Sequence, residues 1–327
     1  MAGVAAPVNM RALRRVLRMR SLIAGPLAME KQLSHDPVMV EEILALFPAG
    51  EGRVIVDGTL GLGGHSERFL QRLGARGTLV GIDWDSSMLE RARDRLVGRF
   101  KARLELHHAD FRTARNLLVT LGLKADGLLL DLGLNSAQVD DPERGLSFRE
   151  DGPLDMRMDR TKGEPAAAIL NRMSLGELEE LIWTLGDERW ARMIARKIVE
   201  RRKIQPLRTT GDLVDCVLAA IPPGARDKRI HTATRTFQAV RIYVNQELEG
   251  LDEALVGAAE SLAPGGVLAV LSYHSGEDRI VKNVFRDLAK QGYEDIYRKP
   301  ATASEAEIRR NPRSRSAKLR ALRRPAS

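Results

Sequence analysis

The stretch VIVDGTLGLGGHSERFL, residues 54–70, constrains this chain more than any other. Three β-branched residues run into Asp57, and four glycines (Gly58, Gly61, Gly63 and Gly64) then fall within seven residues. The pattern predicts a strand, a turn whose backbone visits conformations closed to most side chains, and a helix. At the carboxyl edge of a parallel sheet, such a turn lets a ligand reach the main chain beside a helix N-terminus. The alternative is a tight turn of structural use only. A dinucleotide site normally carries G-x-G-x-x-G, whereas D-G-T-x-G-x-G-G-H differs in spacing and flanks.

The surrounding text alternates. After a short helix around residues 38–46 come the strand 54–57, a helix (66–73), the strand TLVGID, a charged helix (87–96), the strand LELHHADF and the strand ADGLLLDLG. Strands alternating with helices at this spacing imply parallel βαβ units. From residue 136 to about 234 the alternation stops, and the text is helical and turn-rich. It resumes with one long helix from TRTFQAVRIYV to AAESL, the strand VLAVLSYHS, a helix over 277–290 and a late basic segment. The expected architecture is a doubly wound α/β sheet with an inserted helical domain. Its limits are residues 30–135 and 235–327 for the sheet domain and 136–234 for the insert.

Each of the first four strands ends in an acid: Asp57, Asp83, Asp110 and Asp131. Asp83 stands where a carboxylate accepts the hydroxyls of a ribose, although the same residue could cap the next helix. Phe111 follows the third strand, where its ring could lie against an adenine. A rim of acids repels a phosphate-rich cofactor and suits a cationic one. S-adenosyl-L-methionine, with its sulfonium and ammonium, fits that description.

Charge and cysteine usage narrow the class further. The net charge of +8 resides at the ends: residues 1–29 carry +5 and residues 297–327 carry +8, which leaves the body at −5. Basic ends either touch a polyanion or stay solvated. No run approaches the roughly 20 apolar residues of a membrane span. Cys216, the single cysteine, sits in the apolar repeat LVDCVLAAI and reads as a buried structural thiol. Residues 1–29, Arg-rich and free of acids, read either as an organellar transit peptide or as an extended start ahead of Met29. They are excluded from the fold, and the expected compartment is the cytoplasm, or the mitochondrial matrix if the segment is a transit peptide.

The segments VDGTLGLGGHS, GIDWD, LLLDLGLNSAQVDDPERGLSFREDGPLDMRMD, TRTFQAVRIYVNQEL, LAPGG, SYHSGEDRIVK and NPRSRSAKLR closely resemble the bacterial RsmH (MraW) family. These are the 16S ribosomal RNA cytosine-N4 methyltransferases. The resemblance runs from residue 56 to about 320. It implies a class I methyltransferase fold with an inserted helical domain for substrate recognition. It also implies S-adenosyl-L-methionine as cofactor, held by Gly63, Gly64, His65, Asp83, Phe111, Asp131 and Gln138, and the small ribosomal subunit or its 16S RNA as partner. Asn135, Tyr273 and Gly276 depart from the serine, phenylalanine and leucine usual in the family.

The exocyclic amine of cytosine is a weak nucleophile, because its lone pair is delocalised into the ring. Transfer therefore requires that nitrogen to be held in line with the methyl carbon and its N–H groups to be accepted. Candidates for that task are Asp131, Asn135 and Ser136 after the fourth strand and His274 after the fifth. His274 could equally be structural. DLGLNS replaces the D/N/S-P-P-Y/F turn of DNA amino-methyltransferases. The adjacent His107 and His108 point to opposite faces of a strand, and no metal is assigned. In the insert, Trp190, Met193, Ile194 and Ile198 are expected on one buried helical face. Arg189, Arg192, Arg196 and Arg202 are left to solvent or to RNA phosphates. Two rival functions are a nicotinamide-dependent oxidoreductase, disfavoured by the glycine spacing, and an RNA-binding ribosome-assembly factor without catalysis.

Overall fold

The computed structural model describes residues 37–227 and 230–326, apart from the side chain of Ser136. The expected extension over residues 1–29 lies outside the described residues. Eight strands form one sheet in the order β3-β2-β1-β4-β5-β8-β6, with β7 paired to β8. They are β1 Val54–Asp57, β2 Thr78–Asp83, β3 Arg103–His108, β4 Ala125–Asp131, β5 Leu262–Ser272, β6 Glu294–Asp295, β7 Ala301–Thr302 and β8 Lys318–Arg323. From β3 to β5 every pairing is parallel, whereas β8 runs antiparallel to β5, β6 and β7. The mostly parallel, Rossmann-like sheet expected from the alternation is what the chain forms.

Successive strand residues face opposite layers, and the apolar runs supply both. Ile55, Leu79, Leu129 and Ala269 pack with Ile43, Phe69, Leu70 and Leu96 from the helices Val40–Leu46, Gly64–Arg72 and Ser86–Leu96. Val56, Val80, Leu128, Leu130 and Val270 pack on the other side with Leu118, Leu255, Val281 and Phe285. Those side chains come from Ala114–Leu121, Leu251–Glu260 and Ser275–Ala289. Strand order reverses between β1 and β4, and at such a switch point the carboxyl ends of the strands open a crevice.

Between β4 and β5 the chain builds a third apolar core. It is filled by Leu170, Leu178, Ile182, Ile194, Ile198, Leu213 and Val217 from the helices Ala166–Arg172, Leu175–Gly186, Ala191–Ile204 and Thr210–Ala220. Capping boxes at Ser174/Glu177 and Thr209/Asp212 set two of the helix starts. Phe237, Ala239 and Val240 of the helix Thr234–Val244 pack into the same core, so the insert's packing extends past residue 234. On Ala191–Ile204, Ile194 and Ile198 are buried as expected. Met193 is 37% exposed and Ala191 and Ala195 take the inner positions, which places the stripe one step round from the reading.

Two further expectations change. The long helix predicted after residue 234 is broken into Thr234–Val244 and Leu251–Glu260, with Gln246 and Gly250 at positive φ between them. The cause is Asn245. Its Nδ2 donates to Met156 O and Arg241 O, and its Oδ1 accepts from Met158 N–H, each at 2.8–2.9 Å. The side chain thus ends the helix and clamps the LDMRMD loop in one step. The late basic segment, in turn, is no free tail. Leu319, Ala321 and Leu322 of β8 are buried, and Arg320 Nε donates to Asp278 Oδ1 at 2.8 Å. Lys318, Arg320 and Arg323 hid a strand whose other residues, Leu319, Ala321 and Leu322, are apolar and buried.

The insert is joined to the sheet by a buried ion pair. Arg144 donates to Asp85 Oδ2 at 2.8 Å, and also to Met158 O and Ser87 Oγ at 2.9 Å. Replacing Arg144 with leucine strands the buried Asp85 carboxylate and is expected to destabilise the fold by about 3 kcal/mol in urea denaturation. Adding Asp85→Asn should recover part of that loss. An Arg144→Leu protein of unchanged stability would show that the pair does not join the two parts.

Candidate functional site at the carboxyl edge of the sheet

A cavity of about 460 Å³ opens at the switch point. The glycine turn forms one wall. Gly58 leaves β1 so close to β4 that a Cβ would meet Leu130 Cδ2 at 2.5 Å, and Gly61 and Gly63 take φ of +52° and +75°. Gly61 N–H donates to Asp83 Oδ2 at 2.7 Å, and Asp85 N–H donates to Asp83 Oδ1 at 2.8 Å. Asp83 therefore ties the turn to the end of β2 while lining the cavity. Asp85, not Asp83, caps the helix Ser86–Leu96, by accepting from Ser87 N–H.

Of the residues expected at a cofactor site, Gly64, His65, Asp83, Phe111, Asp131 and Gln138 all line this cavity. Gly63 stands behind the wall, where a Cβ would meet Leu96 Cδ1 at 2.9 Å. Its donation from N–H to Leu60 O closes the turn. Gln138 Nε2 donates to Asp85 Oδ2, and its Oε1 accepts from Asn135 N–H. Of the residues expected to orient an amine, Asp131, Asn135 and His274 also line the cavity. Asn135 Oδ1 accepts from the N–H groups of Ala137 and Gln138, which starts the short helix Ser136–Val139. The Ser136 side chain lies outside the described residues. His274 caps the helix Ser275–Ala289, its Nδ1 accepting from Glu277 N–H.

The acidic rim is only half of what the strand ends suggested. Asp57 turns inward, accepting from Ser66 Oγ at 2.7 Å, and Asp110 caps a short turn and pairs with Arg112 at 2.9 Å. Only Asp83 and Asp131 of the four face the cavity. Burial raises Asp57 and Asp83 to about 6. Asp131 rises to about 7, through burial and the nearby charges of Asp57 and Glu277, against the opposing bond from Tyr273. Burial pushes Glu277 up as well, but His274, Tyr273 N–H and Arg241 outweigh it and hold its carboxyl below the usual range.

Several cavity residues, Trp84, Arg112, Arg149, Arg241, Glu247, Tyr273 and Glu277 among them, were given no site role from the sequence. Trp84 follows Asp83, and the Arg112 guanidinium lies over the Trp84 and Phe111 rings at 6.0 and 5.6 Å. Tyr273 Oη donates to Asp131 Oδ1 at 2.7 Å. Arg241 reaches the cavity from the insert's last helix and forks onto Glu247 at 2.7 and 2.8 Å. Glu247, His274 and Glu277 bring ligand atoms within 4.8 Å of one another. The Arg241 fork occupies both Glu247 oxygens, and Glu277 receives Tyr273 N–H. Existing donors thus already occupy those oxygens. Arg149 is an exposed cavity-lining arginine, and no ion pair forms to its guanidinium among the described residues. The legible signal was an acid three residues after His274, a capping-box spacing. The arginines carried no periodic mark.

Residues 32–325 match the MraW methylase family. The chain is 46% identical over 308 residues to the ribosomal RNA small subunit methyltransferase H of Heliobacterium mobile, covering 88% of this chain and 98% of that protein. It is 44% identical over 308 residues to the protein of the same name from Trichlorobacter lovleyi, covering 89% and 98%. Among solved structures it is similar to an rRNA methylase from Streptococcus thermophilus, at 10% identity and a TM-score of 0.39, covering 88% of this chain and 93% of that one. No helix among the described residues is long and apolar enough to cross a membrane.

The raised carboxyls make stability depend on pH. Asp57, Asp83 and Asp131 bind protons more tightly folded than unfolded, so stability falls as pH rises from about 4 through about 6 to 7. The ligand-free protein is expected to melt several degrees higher at pH 6 than at pH 8, and Asp131→Asn should flatten the upper part of that rise. A melting temperature that is level or falls on acidification across this window would contradict the reading.

Proposed function

The chain belongs to the MraW methylase family, and on that footing we propose that it methylates the N4 amine of a cytidine in 16S ribosomal RNA, using S-adenosyl-L-methionine. The observation that carries this reading is the match of nearly the whole described chain to relatives named ribosomal RNA small subunit methyltransferase H. The cavity at the carboxyl edge supports it, because its residues fit such a cofactor. Gly58 and Gly61 line the cavity, where a Cβ would meet Leu130 or Asn135. Asp83 offers a carboxylate to a ribose, Trp84 and Phe111 offer ring faces to an adenine, and the turn with Gly64 and His65 is left for the amino-acid end. When bound, the cofactor supplies a methyl group already activated on sulfur: a C–N bond forms at the amine, the C–S bond breaks with its electron pair left on sulfur, and one amine proton is lost.

What remains for the protein is positioning. Asp131 and Asn135 after β4, with His274 after β5, lie on the same cavity and are the groups we assign to holding the amine. We assign the sheet domain, expected over residues 30–135 and 235–327, to methyl transfer and the insert, expected over 136–234 and extended by the packing of Thr234–Val244, to substrate recognition, in a cytoplasmic setting. RNA must meet local basic surfaces, since the body carries net negative charge. Arg192 and Arg196 are exposed on the helix Ala191–Ile204, and Arg149 stands at the cavity. Arg202, expected among them, instead donates to Leu170 O at 2.7 Å and is part of the insert's frame.

The direct test is methyl transfer to small subunits isolated from cells lacking the gene, with N4-methylcytidine mapped in the RNA. Its appearance at one site, dependent on the added protein, is expected; no transfer, or a methyl at another atom, would refute the assignment. A pair of variants should separate the two ligands. Asp83→Ala is expected to weaken cofactor binding by roughly 1.5–3 kcal/mol in calorimetry while sparing RNA affinity. Neutralising Arg192 and Arg196 together, which do not line the cavity, should weaken RNA binding and flatten its salt dependence while sparing the cofactor. Loss of both ligands in either variant would mean damage to the fold.

A further inference from the structure

Tyr273 follows β5 and is fixed at three points. Its N–H donates to Glu277 Oε2 at 2.8 Å, its ring lies beside Gly133, and its hydroxyl donates to Asp131 Oδ1 at 2.7 Å. Asp131 is held from the other side as well, where its N–H donates to Thr59 Oγ1 at 2.7 Å. Its remaining oxygen, Oδ2, has His65 Nε2 at 3.7 Å, beyond hydrogen-bond reach. Both Tyr273 and Asp131 line the cavity. A carboxylate gripped at its amide and at one oxygen presents its second oxygen in a set direction.

We propose that Tyr273 is a positioning residue for methyl transfer, its hydroxyl holding the Asp131 carboxylate so that Oδ2 accepts the N–H of the substrate amine. The proposal rests on the function given above and names the group that orients its acceptor. The proton that the amine loses as its new C–N bond forms passes to Oδ2, and from there to water. Burial and the Asp131 charge hold the Tyr273 phenol well above its usual range, so it stays a donor at every working pH.

The charged groups facing Asp131 come from each element around it. They are Asp57 at the end of β1, His65 from the helix Gly64–Arg72, and Glu277 from Ser275–Ala289, itself paired with His274 and flanked by Arg241. Asp57 and Glu277 push the Asp131 proton on, whereas the Tyr273 hydrogen bond favours the ionised form. The phenol thus both aims the carboxylate and keeps it able to accept.

Tyr273→Phe removes one oxygen and leaves the ring. With the protein labelled with 13C at the aspartate carboxyl carbon, the Asp131 resonance is identified by its loss in Asp131→Asn. Its titration midpoint, about 7 in the parent, is expected to rise by roughly one pH unit in Tyr273→Phe. The acid limb of kcat should move by the same amount and kcat at neutral pH should fall about tenfold. A purely structural tyrosine would lower stability without moving the midpoint, and an unmoved midpoint overturns the proposal. Should Tyr273→Phe fail to fold, 3-fluorotyrosine at 273, a stronger donor of nearly the same shape, must shift the midpoint downward instead. Because the titration needs no RNA, it stands even if the substrate assignment fails. If the midpoint moves but the parent protein methylates no cytidine, the hydrogen bond is real and the reaction assigned to it is wrong.

Discussion

The buried carboxylate of Asp85 is the point on which the two halves of this protein depend. It accepts from Ser87 to start the helix after β2, from Gln138 beside β4, and from Arg144 in the insert. A buried ion pair gains little over apolar packing, since desolvation offsets most of the attraction, but removing one partner is severe. Its use here is geometric. Asp85 N–H is also the donor to Asp83, so the same short turn anchors the insert and sets the acid expected to meet the ribose. A displaced insert would be felt in the cavity through two hydrogen bonds.

Asn245 works the same way at the other junction. By satisfying Arg241 O, Met156 O and Met158 N–H, it ends the helix Thr234–Val244 where an uninterrupted apolar pattern would have continued it. The bend that results returns Glu247 towards Arg241, and their bidentate pair forms part of the cavity wall. One polar side chain therefore decides a helix end, a loop position and the charge state of a wall.

The electrostatics of the site differ from a plain acidic rim. Asp57 and Asp110 are consumed by Ser66 and by Arg112, and Glu247 and Glu277 are matched by Arg241, Tyr273 N–H and His274. Two carboxylates remain to face a ligand, and burial raises both towards neutrality. Such groups respond strongly to whatever binds, because a cation nearby restores their charge in a medium that screens little.

The sequence alone determined the layered sheet, the glycine cradle, the place of Asp83 and the existence of the helical insert. Each of these is a local pattern: β-branched runs ending in acids, glycines where φ turns positive, and a change from period two to period 3.6. The resemblance repeated Asp83, Phe111 and Asp131 and added further candidates, and most of them meet in one cavity. What only the tertiary structure decided was which acids face inward, where the long helix breaks, and that the basic KLRALR run is a strand lying between β5 and β6. The physical reason is common to all three. A side chain's hydrogen-bond partners, such as Asp131 for Tyr273, 142 residues away along the chain, or Met156 for Asn245, 89 away, carry no periodicity and meet only when the fold closes.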